Sequence, residues 1–95
     1  MFVGGVTSDR RLLDCQSYHL SSYPTRMVAP LDRLGPDTIP ANRLNPVFDL
    51  FGEQWVMQTH LASAMRKTDL GSPIASLSSD RDRIVAAFDL LITGV

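Results

Sequence analysis

The sequence holds a single cysteine, Cys15, and two histidines, His19 and His60. One thiol excludes an intramolecular disulfide, so nothing in the chain asks for an oxidising compartment. Cys15, the two histidines and the scattered acids make no metal-ligand spacing. A glycine-rich phosphate loop, an HExxH helix and a GxSxG elbow are all missing. No run approaches the roughly 18 apolar residues of a membrane span. The opening stretch, Met1 to Val6, lacks the basic and apolar segments of a signal peptide. These absences predict a cytoplasmic protein with no membrane association, no metal and no cofactor. Basic excess is missing too: Lys and Arg number 9 against 10 Asp and Glu, for a formal net charge of −1. That balance argues against direct nucleic-acid binding, which leans on cations set against phosphates.

What remains is a chain of 95 residues, 44% hydrophobic and 20% charged. Such a composition is globular, and the length suits one domain spanning residues 1–95. A core of this size is modest, and a second copy would add buried apolar area.

Hydrophobic patterning predicts a β-rich fold closed by one helix. Phe2, Val3 and Val6 suggest a short strand weakened by Gly4 and Gly5. A turn over Thr7–Arg11 follows, then a strand over Leu12–Gln16. After a loop at Ser21–Thr25, Arg26–Leu31 reads as a strand in which Pro30 confines the end to an edge or bulge. Residues 32–46 carry three prolines and read as extended loop. Val47–Phe51 and Trp55–Leu61 form a hairpin around Gly52-Glu53. Residues 61–67 suit either helix or strand, Gly71-Ser72-Pro73 breaks the chain, and Ile74–Leu77 is short and extended.

The C-terminal segment carries the clearest signal. Ser79 is placed as N-cap, with Asp82 three residues on in the capping-box position. Ile84, Phe88, Leu91 and Val95 recur at helical spacing, flanked by Ala87 and Leu90. Val85 and Ile92 lie off this stripe, so the helix is apolar on more than one face, and Gly94 stops it. An apolar helix on so small a domain packs on the sheet, on a partner, or on both.

Candidate chemistry is sparse. Cys15 with a histidine makes a conceivable nucleophile pair, but its place in an apolar strand favours an inert buried thiol. Asp14 and Arg26 form an acid/base pair or, more simply, a structural charge pair or two separate surface charges. Trp55 reads as a core or half-buried anchor rather than a binding hot spot, His19 reads as a surface residue, and His60 as a solvent-facing strand residue or a hydrogen-bond partner.

Several short motifs share the order and spacing of one known family. Leu13-Asp14-Cys15-Gln16-Ser17 precedes Arg26-Met27-Val28-Ala29-Pro30-Leu31. Leu44-Asn45-Pro46-Val47 precedes Trp55, Met57, Thr59 and Ala62-Ser63. Leu77-Ser78, Arg81-Asp82 and Ile84 lead to Asp89-Leu90-Leu91-Ile92-Thr93-Gly94-Val95. Over roughly residues 12–95 this pattern resembles the CcdB-type toxins of type II toxin–antitoxin systems.

The resemblance implies a small SH3-like antiparallel β-barrel with one C-terminal α-helix, working as a homodimer. It implies a poison that binds the DNA gyrase A subunit, holds the gyrase–DNA cleavage complex, and is neutralised by a partly disordered CcdA-like antitoxin. Such a poison acts by fitting one gyrase conformation best, so it needs a contact surface and no catalytic residues. Carried over by position, the gyrase-binding residues are His19, Leu20, Asp89, Ile92, Thr93, Gly94 and Val95, and Leu91 and Val95 lie at the dimer interface. Thr93 stands where the best-known member has an aromatic residue. Two other readings belong beside this one: a non-toxic or decayed binding protein of the same family, and a MazF-like endoribonuclease on a similar barrel.

Overall fold

A computed structural model describes residues 1–5, 10–16, 22–35 and 42–94. Its strands are β1 (Phe2–Gly5), β2 (Arg10–Asp14), β3 (Thr25–Arg33), β4 (Val47–Leu50), β5 (Glu53–Met57), β6 (Ser63–Arg66) and β7 (Pro73–Ser76), followed by helix α1 (Arg81–Thr93). The sheet runs in the order β4-β5-β3-β2-β1-β7, with β6 also paired to β3, and curls into a half-barrel. All pairings are antiparallel. The expected β-barrel-like class with one C-terminal helix is the class observed.

β3 is the spine of this sheet. One of its sides pairs with β2 from Arg10↔Asp32 to Asp14↔Val28. Its other side pairs with β6 over Thr25–Val28 and with β5 over Leu31–Arg33. Pro30 therefore lies inside a nine-residue strand, not at the edge that its chemistry suggested. The register explains why it is tolerated. The Pro30 carbonyl accepts the Gln58 N–H at 2.8 Å, and a strand residue points its N–H to the same side as its C=O. The missing donor thus faces the gap between β5 and β6, where no ladder bond is lost. The strand is longer than read from sequence at both ends, since Thr25, Asp32 and Arg33 all pair.

The motif residues before β3 lengthen its ladder. Beyond the last paired residue of β2, the Cys15 N–H donates to the Met27 carbonyl at 2.8 Å. The Gln16 side-chain carbonyl accepts the Met27 N–H at 3.0 Å. Asp14 Oδ1 accepts the Gln16 N–H at 3.0 Å, while Oδ2 pairs with Arg26 Nε at 3.3 Å.

Alternation along the strands places Val3, Leu13, Ala29, Leu31, Phe48, Leu50, Trp55 and Met57 in one core, joined by Leu77, Ile84 and Ala87. Leu12, Val28 and Val56 are buried as well and occupy the alternate positions, on the other face of the curled sheet. Trp55 is the core anchor read from sequence, at 1% exposure. Arg11 and Arg33 lie over its ring at 5.3 and 5.4 Å from the centroid, in cation–π range.

Several boundaries differ from the periodicity reading. β1 forms despite its glycines because Gly4 passes against another backbone: a Cβ there would lie 3.2 Å from the Gly71 carbonyl oxygen. Arg10 and Arg11 belong to β2 rather than to a turn. β5 ends at Met57, and Thr59–Leu61 forms a 3₁₀ turn, so His60 is not a strand residue. The ambiguous stretch after it is β6, followed by a second 3₁₀ turn at Lys67–Asp69. Val6, Thr7–Asp9 and the loop prolines Pro36 and Pro40 lie outside the described residues.

The β4–β5 hairpin turns on Phe51-Gly52, one residue earlier than read, with Leu50 opposite Glu53. Phe51 has φ 56° and Gly52 φ 77°, the two left-handed residues of a type I′ turn. Phe51 is 61% exposed, so its ring gains little to offset the steric cost of that backbone. Replacing it with Asn, which tolerates the left-handed region, should raise the unfolding free energy by about 1 kcal/mol. Urea denaturation of F51N beside the parent chain measures this directly, and an unchanged or lower midpoint refutes it.

Candidate functional site

Helix α1 builds the most distinctive surface. It begins at Arg81, after a 3₁₀ turn at Ser78–Asp80, so Ser79 is not its N-cap. Asp80 holds that position without a side-chain cap bond, and its carboxylate pairs instead with Arg83 at 3.3 Å. Asp82 lies in the first turn, where the helix dipole favours an anion.

Ile84 and Ala87 are fully buried in the sheet core and Phe88 packs beside them. This inner face fixes which residues the helix turns outward. Val85, Leu91 and Ile92 are 36%, 42% and 79% exposed. At 100° per residue Val85 and Ile92 share one ridge, adjoining the arc of Phe88 and Leu91. The apolar arc is therefore wider than the core it covers, as the two-faced pattern predicted. The 3₁₀ turn Thr59–Leu61 packs against α1, and Leu61 there is half exposed.

The last turn closes tightly. Gly94 takes φ 75° as the C-cap residue and donates its N–H to the Leu90 carbonyl at 2.9 Å. A Cβ at Gly94 meets no atom within 4 Å, so glycine is needed here for its backbone and not for space. Thr93 Oγ1 donates to the Asp89 carbonyl at 2.6 Å, which spends its hydroxyl within the helix. Asp89, Ile92, Thr93 and Gly94 are all exposed and lie within this turn. Of the residues assigned by resemblance, the structure brings these four together, with Leu91 beside them. His19, Leu20 and Val95 lie outside the described residues.

A second feature has no counterpart in the sequence reading. Asn42, Arg43, Pro46, Val47, Arg83 and Ala86 line a cleft of about 440 Å³ on the flank of α1. Arg83 is locked into its wall. One guanidinium nitrogen donates to the Val47 carbonyl at 2.7 Å, and the plane lies 4.8 Å from the Phe48 ring centroid. Residues 42–46 are separated from α1 by β4, β5, β6 and β7, so no local periodicity announces their meeting.

The residues weighed for catalysis are placed structurally. Asp14 and Arg26 form an ion pair with side chains only 17% and 9% exposed, and the same carboxylate takes the Gln16 N–H. It is a charge pair that pins the end of β2 to β3. His60 is exposed and its Nδ1 lies 3.4 Å from Asn45 Nδ2, as a hydrogen-bonding residue. Asn45 itself is 3% exposed and also donates to the Met57 carbonyl at 3.0 Å. Among the described residues no group of three or more His, Cys, Asp or Glu gathers around one point, and no helix is long and apolar enough to cross a membrane.

Cys15 points its thiol at the Leu13 carbonyl, 3.4 Å away. Burial, with the Asp14 charge adding to it, pushes the thiol from an ordinary 9.0 up to about 12. The thiolate is the reactive form, so native Cys15 should react with iodoacetamide at pH 8 about 1,000-fold more slowly than the urea-unfolded chain. The sign for stability follows. Between pH 9 and 12 the unfolded chain has lost this proton and the folded one has kept it, so the thiol's contribution falls as pH rises. Cys15→Ala should flatten that decline, and equal labelling of native and unfolded protein refutes the assignment.

The family model described as CcdB protein matches residues 6–94 of this chain. Among the curated proteins no significant match is found.

Proposed function

The chain belongs to the CcdB family of toxin–antitoxin toxins, and on that premise we propose that it binds the DNA gyrase A subunit and holds the gyrase–DNA cleavage complex. One observation carries the reading: α1 is anchored by Ile84 and Ala87 yet presents an exposed apolar end at Ile92, ringed by Asp89, Thr93 and Gly94. An aliphatic side chain 79% exposed on a well-seated helix is a contact surface waiting for cover. The poison works by differential binding. It stabilises the gyrase conformation that its helix end fits, and that conformation accumulates in proportion to the difference in affinity. No bond is made or broken by the toxin, so the proposal assigns no catalytic residue, no metal and no cofactor.

In this reading residues 1–95 act as one cytoplasmic toxin domain and as a homodimer, with Leu91 and Val95 near the two-fold. His19 and Leu20 join the helix end on the gyrase side, and a CcdA-like antitoxin neutralises the protein. Neither DNA nor a membrane is contacted directly. The formal charge of −1 agrees with the first, and among the described residues no helix is long and apolar enough to cross a membrane.

Two measurements test the proposal. Expressed without antitoxin, the chain should arrest growth, and purified protein should trap cleaved plasmid DNA with gyrase. Deleting Gly94-Val95 should abolish trapping while leaving the circular dichroism and unfolding midpoint nearly unchanged, because the helix is seated by Ile84 and Ala87 and Gly94 is exposed at its end. A truncated protein that still traps DNA refutes the site, and arrest with degraded RNA instead of trapped DNA refutes the target. The exposed Thr93 gives a gain-of-function test. Thr93→Trp adds a surface able to stack on a gyrase arginine, worth about 1 kcal/mol, so half-maximal trapping should need about 5-fold less protein.

A further inference from the structure

The cleft on the flank of α1 has the features of a peptide site. Its size falls within the range of pockets that bury a ligand side chain, about 300–1,000 Å³. Pro46, Val47 and Ala86 give it an apolar floor, and Arg43 and Arg83 put two cations at its walls. None of the described lining residues carries a carboxylate. Both walls are held before any ligand arrives. The Asn45 N–H donates to Asn42 Oδ1 at 2.7 Å, Asn45 Nδ2 ties the segment to Met57 at 3.0 Å, and Arg83 is fixed by Val47, Phe48 and Asp80. Arg83 already shares its charge with Asp80. The Arg43 side chain makes no hydrogen bond or ion pair with any described residue, so its charge is there for an incoming group.

We propose that this cleft docks an acidic segment of a partner protein, with one bulky apolar side chain on the Pro46–Val47–Ala86 floor and carboxylates against Arg43 and Arg83. Charge complementarity selects this occupant. A nucleic acid would use the two cations and leave the apolar floor unused, and two phosphate contacts on a chain of net charge −1 hold a strand weakly. Preformed walls spare the ordering cost that weakens most peptide sites. The site sits beside Ala86 and away from the Val85–Ile92 ridge, so it does not depend on the gyrase reading.

The test uses the full chain, ¹⁵N-labelled, titrated with a capped peptide in which glutamates flank a central Leu-Phe pair. Three controls replace its glutamates with lysine, replace its Leu-Phe pair with alanines, or substitute an oligothymidylate. Saturable shifts at the amides of Val47 and Ala86 are expected for the acidic, apolar peptide alone. Arg43→Glu should weaken binding about ten-fold or more. Ala86→Phe, at an exposed position where the fold tolerates it, should fill the cleft and abolish binding. The proposal is overturned by an absence of saturable shifts, by shifts confined to Asp89–Thr93, by equal binding of the lysine peptide or the oligothymidylate, or by an Ala86→Phe protein that binds like the parent. Because the readout is peptide binding to the free chain, gyrase trapping can succeed or fail without deciding it.

Discussion

The hydrogen bond from the Gln58 N–H to the Pro30 carbonyl marks where β3 exchanges one partner for another. Up to Val28 its outer side belongs to β6, and from Leu31 it belongs to β5. A residue that cannot donate is the cheapest one to place at that junction, since neither ladder asks for its N–H. The exchange lets one strand serve two neighbours and turns a flat sheet into a curled one. Everything that seats the helix follows. Ala29 and Leu31 of β3, Trp55 and Met57 of β5, and Leu13 of β2 form the surface on which Ile84 and Ala87 rest.

Once that seat is fixed, the outward residues of α1 have no freedom left in their direction. Val85 and Ile92 point away from the sheet because Ile84 and Ala87 point into it. Arg83 adds a lateral tie, joining the helix to the Val47 carbonyl and the Phe48 ring. The result is a helix held from beneath and from one side, with its C-terminal turn presented. A surface held this rigidly has little conformational entropy left to lose.

Much of this was legible in the residues, and the unread parts have physical reasons. The apolar stripe of α1, its stop at Gly94 and the existence of the β4–β5 hairpin are local patterns that the residues announce, though the hairpin's turn and the end of β5 are displaced from the reading. Pro30 misled because its tolerance depends on a gap between two strands far along the chain. Gly4-Gly5 looked like a weak strand because the reason for Gly4, the close passage of Gly71, is not local. Ser79 looked like a cap because its residue type suits one, yet the chain enters the helix through a 3₁₀ turn. The cleft of Arg43 and Arg83 was invisible, since its two walls lie 40 residues apart and neither has a periodic signature. At the helix end, Asp89, Ile92, Thr93 and Gly94 were named by resemblance, and geometry shows them sharing one exposed turn.

The pairing of β1 bears on the order of assembly. β1 rests on β2 on one side, a neighbour close in sequence, but on its other side it must find β7, with Phe2 opposite Ser76. A loop of that length closes slowly and rewards the chain only after most residues are ordered. During synthesis β1 leaves the ribosome before β7 exists, so one border of the half-barrel stays unpaired until residues 73–76 have emerged. The helix follows β7 directly, through Leu77, which joins the same core. Completion of that border and presentation of the helix end therefore coincide, and an incomplete chain offers neither. The border strand and the exposed helix end are thus completed together rather than in separate steps.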